Sequence, residues 1–255
     1  MAGLDIAAMR ARNAKMQGQD NKTSAYWKPT EGDQVIRIVP WKDRPEDPFI
    51  ELLFHYIGGK TQLSPLSNGN PDPIAEFGDK IRNEGGSDAW QQAKDFMPKK
   101  RTYVPVVVRG EEDQGVRFYS FGATVYKALI SFMADEDYGD ITDPKTGRDI
   151  KLNYVPKDKS DTNFPVTNVI MKPLPTALSD NSDQAANWMT NQPDIMSLVK
   201  EPSYEDLRSF LRGHLDPDVV EPDTDESVTQ QETSPAVAAT VSATIDDFDA
   251  LFDKK

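Results

Sequence analysis

Residues 97–127 hold six bases, Lys99, Lys100, Arg101, Arg109, Arg117 and Lys127, against three acids. The acids, Glu111, Glu112 and Asp113, sit together between two short hydrophobic runs. Tyr103, Tyr119 and Tyr126 are interleaved with the bases. The runs 102–109 and 115–121 are β-branched or aromatic, so each reads as a strand, with 110–115 as the hairpin loop between them. Alternation puts Thr102, Val104, Val106 and Val108 on one face, suited to a core. Arg101, Tyr103, Pro105, Val107 and Arg109 fall on the other, and Arg117, Tyr119 and Phe121 share a face of the second strand. Cations neutralise phosphates, and aromatic rings stack on bases at about 1–3 kcal/mol per base. This combination can hold single-stranded nucleic acid without reading base edges. An amphipathic strand whose tyrosines finish a core has the same pattern, and the residues alone leave both readings open.

Elsewhere the chemistry is sparse. His55 and His214 are the only histidines, and there is no cysteine, which excludes disulfides and thiolate metal sites. No Gly-rich phosphate loop, metalloprotease motif or nucleophile elbow occurs. Asp135, Asp137 and Asp140 are the remaining candidates for a hard cation, as in a magnesium-dependent nuclease, but a solvated loop is the stronger reading of them. Trp41 follows a strand and is either a loop stacking residue or a buried anchor. Trp90 and Phe96 read as core residues, and Tyr26 and Trp27 as a staple for the N-terminal arm.

The elements that must position these residues come in an irregular order. Strands are expected at 34–39, 49–57, 102–109, 115–121, 150–155 and 165–172, and helices at 74–83, 87–96, 123–134 and 203–213. Residues 3–17 read as a further helix, with 18–33 as a polar connector. The fold class is mainly β with inserted helices (α+β), because regular strand–helix alternation is absent. A small barrel such as the oligonucleotide-binding (OB) fold accommodates this order.

The charge is lopsided. The chain of 255 residues has a formal charge of −13, and residues 215–255 hold eleven carboxylates against Lys254 and Lys255, a net of −9. From about Asp216 Pro, Asp, Glu, Thr and Ser dominate, so 216–244 reads as a disordered linker. It ends in an acidic amphipathic peptide. Ile245, Phe248, Leu251 and Phe252 recur at helical spacing among Asp246, Asp247, Asp249 and Asp253. Such a peptide reads as a partner-docking segment that folds on binding, with a solvated tail that aids solubility as the lesser alternative. No apolar run is long enough to span a membrane, and the N-terminus lacks a signal-peptide core, so a cytosolic protein is expected.

The sequence resembles the single-stranded DNA-binding, helix-destabilising proteins of T-even-like bacteriophages. The residues that carry the resemblance are Lys99-Lys-Arg-Thr-Tyr103 with Val106-Val-Val108, then Gly115-Val-Arg-Phe-Tyr-Ser-Phe-Gly122 and Val125-Tyr-Lys-Ala-Leu-Ile130. Gly32–Pro40 and Phe49–Tyr56 resemble the family's first barrel strands. The resemblance implies an OB-fold core over 32–214, an N-terminal arm over 1–31 and an acidic tail over 215–255. It implies a non-enzymatic, cooperative, sequence-nonspecific protein of viral DNA replication, recombination and repair in the host-cell cytoplasm. The expected single-strand-binding set is Arg37, Trp41, Lys42, Tyr56, Lys99, Lys100, Arg101, Tyr103, Arg109, Arg117, Tyr119, Tyr126 and Lys127. Arg10, Arg12 and Lys15 are expected at the contact between protomers. Ile245, Asp246, Asp247, Phe248, Leu251 and Phe252 are expected to dock replication and recombination proteins.

One departure concerns metal. The family commonly carries a zinc ribbon of one histidine and three cysteines. His55 stands where that histidine would be, and the paired cysteines fall near Asn70–Pro73, where no thiolate exists. No zinc, no other metal and no cofactor are therefore expected, with Pro-rich packing in place of the ribbon. The competing function is a phage assembly or adaptor protein whose barrel binds protein instead of nucleic acid.

Overall fold

A computed structural model describes residues 25–84 and 89–215. The expected N-terminal helix with Arg10, Arg12 and Lys15 lies outside the described residues, as does the terminal peptide with Ile245, Asp246, Asp247, Phe248, Leu251 and Phe252. In chain order the strands are β1 (Tyr26–Trp27), β2 (Gly32–Ile38), β3 (Ile50–Ile57), β4 (Lys60–Leu63), β5 (Lys99–Val108), β6 (Arg117–Phe121), β7 (Arg148–Val155) and β8 (Val166–Pro175). The helices are α1 (Pro73–Glu84), α2 (Ala89–Lys94), α3 (Ala123–Met133), α4 (Ser182–Thr190), α5 (Ile195–Leu198) and α6 (Tyr204–Leu215). The expected mixture of strands and inserted helices is present. The sequence reading did not contain β1, β4, α4 or α5. The described residues fall into two compact units, 25–51 with 101–198, and 52–84 and 89–100 with 199–215.

In the first unit the sheet runs β1-β6-β5-β2-β7-β8. β5 and β6 form the expected antiparallel hairpin, with Thr102 opposite Phe121 and Val104 opposite Tyr119. β2 is antiparallel to both β5 and β7, and β1 adds to β6 in parallel. Trp27 of β1, Val104 and Val106 of β5, Ile150 and Leu152 of β7 and Met171 of β8 all bury into one cluster, closed by Val125 and Leu129 of α3. Strands from both ends of the sheet share this core, so the sheet is strongly curled. Each large apolar side chain buried there contributes about 1.5–3 kcal/mol of transfer free energy.

The second face of β5 is buried as well, which corrects the expectation of an open basic face along the whole strand. Val107 packs with Val39, Val116, Leu178 and Trp188. Trp188 comes from α4, whose first turn is capped by Asn181 Oδ1 accepting from the Asp183 N–H (2.9 Å) and the Gln184 N–H (3.3 Å).

In the second unit β3 and β4 form a hairpin around Gly58 and Gly59, whose φ values of +57° and +74° match the two-residue turn that suits twisted strands. Leu207, Leu211 and Leu215 recur every four residues on α6 and pack on Ile57, Ile74 and Phe77. Phe96 joins them, its ring 5.0 Å from Phe77 in a T-shaped contact. Trp90, expected in a core, is 57 % exposed instead and lies under Lys94 Nζ at 5.6 Å.

Candidate nucleic-acid interface

Three of the expected DNA-contacting arginines are spent inside the first unit. Arg37 is fully buried. Its Nη1 donates to Asp149 Oδ1 (3.3 Å) and Thr176 Oγ1 (3.0 Å), and its Nη2 to the carbonyls of Asp143 (2.8 Å) and Thr176 (2.9 Å). Burial pulls its pKa below the ordinary arginine value while Asp149 opposes the shift. Gly147 is required beside it, because a Cβ there would lie 2.5 Å from Arg37 Nη2. Arg109 grips the same carboxylate through Nε and Nη2 (2.9–3.2 Å) and donates to the carbonyls of Ala177 and Leu178. Arg117 is buried and its Nη2 pairs with Glu111 Oε2 at 2.6 Å. Arg37, Arg109 and Arg117, expected on a phosphate-binding surface, are instead ion-paired with the protein's own carboxylates, and Arg37 Nε and Arg117 Nε are buried with no hydrogen-bond partner among the described residues.

Two expected stacking residues are also core residues. Trp41 is buried with its ring stacked on Phe118, 5.4 Å between centroids at 27°. Tyr119 is 2 % exposed and meets Trp27 edge-on at 5.3 Å. Burial pushes the Tyr119 phenol up to about 12, against a hydrogen bond with Thr167 and the charge of Arg101. Tyr103 is nearly covered by a T-shaped contact with Tyr26 at 6.2 Å, and Tyr126 packs edge-on to Phe49 at 5.2 Å while half-buried. Tyr26 is the aromatic that the sequence reading left out of the site. Its signal was its position beside Trp27, a staple that also places a half-exposed ring against Tyr103.

What remains accessible is a smaller set. In the first unit Lys42 and Lys127 are exposed and Arg101 is half-exposed at the start of β5. In the second unit Tyr56 is 43 % exposed with Lys99 Nζ 5.9 Å from its ring centroid, and Lys100 is exposed. Among the described residues, Lys42, Lys99, Arg101 and Lys127 make no ion pair. Such cations keep their full capacity for an external anion.

The metal question turns on His55. Its Nε2 lies 2.8 Å from Asp72 Oδ2, which Ser64 Oγ also donates to. Asp72 Oδ1 accepts from the backbone N–H groups of Ile74 (2.9 Å) and Ala75 (3.1 Å). Burial works to raise the Asp72 carboxyl, yet the hydrogen bonds from His55 and Ser64 hold it below its ordinary value. One imidazole, one saturated carboxylate and one hydroxyl do not fit a structural zinc, which takes four nitrogen or thiolate ligands. Asp135 Oδ1 and Asp140 Oδ1 accept backbone N–H groups of Asp137 and Thr142, as turn-capping residues do. Among the described residues no group of three or more His, Cys, Asp or Glu side chains is placed to hold a metal ion. Among them, too, no helix is long and apolar enough to cross a membrane.

The protein-family model described as "gp32 DNA binding protein like" matches residues 30–212. A search of curated proteins finds no match.

Proposed function

The chain belongs to the gp32-like family of DNA-binding proteins, and from that membership we propose that it binds single-stranded DNA cooperatively and without sequence preference, in viral replication, recombination and repair. The observation that supports this reading most directly is the division among the cations. Lys99 and Arg101 at the start of β5 and Lys127 on α3 make no ion pair among the described residues, whereas Arg37, Arg109 and Arg117 are committed to the fold. In the first unit Lys42, Arg101 and Lys127 neutralise phosphates, and Tyr126 and the Tyr26–Tyr103 pair offer rings to bases. In the second unit Lys99 and Lys100 supply the cations and Tyr56 the ring. The curled sheet of the first unit serves as an OB-type barrel. Arg10, Arg12 and Lys15 join protomers along the strand, and the acidic peptide from Ile245 to Phe252 docks replication proteins in the host-cell cytoplasm. Preferential binding to unpaired strands lowers the melting point of duplex DNA.

Titration of oligothymidine with increasing salt tests the reading. With about five phosphates contacted, log affinity falls with log salt at a slope of roughly −3.5. Salt-independent binding, or none, overturns it and favours a protein-binding barrel. Deleting residues 1–20 leaves a one-site oligonucleotide bound nearly as before and sharply weakens binding to long strands. Equal losses on both would place Arg10, Arg12 and Lys15 on the DNA.

A further inference from the structure

We propose that a buried His55–Asp72–Ser64 hydrogen-bond cluster fastens the second unit at the place where the resembling phage proteins use a zinc ribbon. The inference rests on the packing of this unit and is independent of the DNA-binding reading. The three residues come from three separate segments. His55 lies in the middle of β3, Ser64 directly follows β4, and Asp72 directly precedes α1. All three side chains are buried. The Asp72 carboxylate receives four donors, two on each oxygen, which is the full acceptor capacity of the group. As the carboxylate only accepts, His55 Nε2 is the donor to it, while His55 Nδ1 is buried with no hydrogen-bond partner among the described residues.

The same region is knitted further by backbone groups. Leu53 N–H donates to Ser67 Oγ at 2.8 Å, and Ser64 N–H donates to the Leu53 carbonyl at 2.8 Å. Asp72 also caps α1, and Pro73 at its first position needs no hydrogen-bond partner for its nitrogen. Asp72 sits between the two prolines of Asn70-Pro-Asp-Pro73, where the cysteine ligands of the ribbon would fall. Zinc ties such loops by bonding to side chains from separate segments. Here one carboxylate ties three segments through hydrogen bonds. A buried charge persists only when it is so saturated, and removing its partners leaves groups that neither water nor protein satisfies.

Hydrogen exchange on the full-length protein tests the inference, with peptides from 52–84 reporting on the cluster and peptides from the β5–β6 hairpin as the internal reference. Zinc content is measured on the same preparation. Asp72→Asn keeps a carbonyl oxygen to cap α1 but presents an N–H where His55 and Ser64 now donate. It is expected to speed exchange across 52–84 at least tenfold while the hairpin changes little. Asp72→Ala loses the cap too and exchanges faster still. A chelator leaves the wild-type pattern unchanged. Should the Asp72 variants fail to fold, His55→Gln, which retains an amide donor, reports the same loss at smaller size. Stoichiometric zinc whose removal speeds exchange in 52–84 overturns the proposal. So does wild-type exchange in Asp72→Asn, or in His55→Gln when the Asp72 variants do not fold.

Discussion

At the start of β5, Lys99 is exposed, Arg101 half-exposed, and neither makes an ion pair among the described residues. Immediately beyond the end of the same strand, Arg109 is clasped by Asp149 and by two carbonyls. Each end carries an arginine, and the strand between them is buried on both faces. What differs is the neighbourhood. Asp149 at the beginning of β7 and the loop at 176–178 surround the far end, with Arg37 on the same carboxylate. Two arginines converging on one carboxylate and several carbonyls are a way of fixing loops, since the terminal nitrogens of both find acceptors. A cation is available for phosphate only where the fold supplies no acceptors of its own.

This contrast breaks down or sharpens under substitution. The largest effect is expected from Asp149→Ala, which strands the buried Arg37 charge and the Arg109 fork. Urea unfolding should show a loss of about 3–5 kcal/mol. Where the variant remains folded, the salt slope for single strands should be unchanged. A shifted slope with unaltered stability would return both arginines to the DNA surface.

Tyr56→Ala comes next. The ring is 43 % exposed, so its loss should cost little stability but about 1–3 kcal/mol of single-strand affinity, read by fluorescence titration. Unchanged affinity would limit the site to its cations.

A finer cut compares the two ends directly. Arg101→Ala should make the salt slope shallower by about 1, and Arg109→Ala should leave it alone while lowering the melting temperature. Identical behaviour of the two variants would erase the distinction between the ends of β5.

The smallest effect concerns Tyr119. Its phenol ionises at about 12 in the folded protein, above the ordinary value near 10. The unfolded chain therefore releases this proton first as pH rises. The stability it contributes is fully present below pH 10 and is lost as pH climbs through about 12. Absorbance titration of wild type against Tyr119→Phe should reveal one late-ionising tyrosine, and no difference between them would put the ring in water.

Much of the scaffold was legible because local pattern decides it. The alternation of Thr102, Val104, Val106 and Val108 gave a core face, and all four are buried. The 110–115 loop joined β5 and β6, and the four-residue spacing of Leu207, Leu211 and Leu215 marked α6. Elements with little pattern escaped notice. β1 has two residues, β4 has four, and α4 offers only Ala185, Trp188 and Met189 as an apolar stripe. α4 matters directly for the site, because its Trp188 covers the face of β5 around Val107 that the strand's own alternation leaves open.

By itself the sequence determined the periods of the main strands and helices, the absence of thiolates, the concentration of acid at the C-terminal end and the family to which the chain belongs. Those properties are local or additive, and no packing can change them. Only the tertiary structure decided which arginines were free, that Trp41 and Tyr119 point inward, and that Asp72 meets His55 from 17 residues away. Each of these depends on which acceptor or apolar wall a distant segment brings alongside, and a charge or ring carries no local mark of the neighbour it will find.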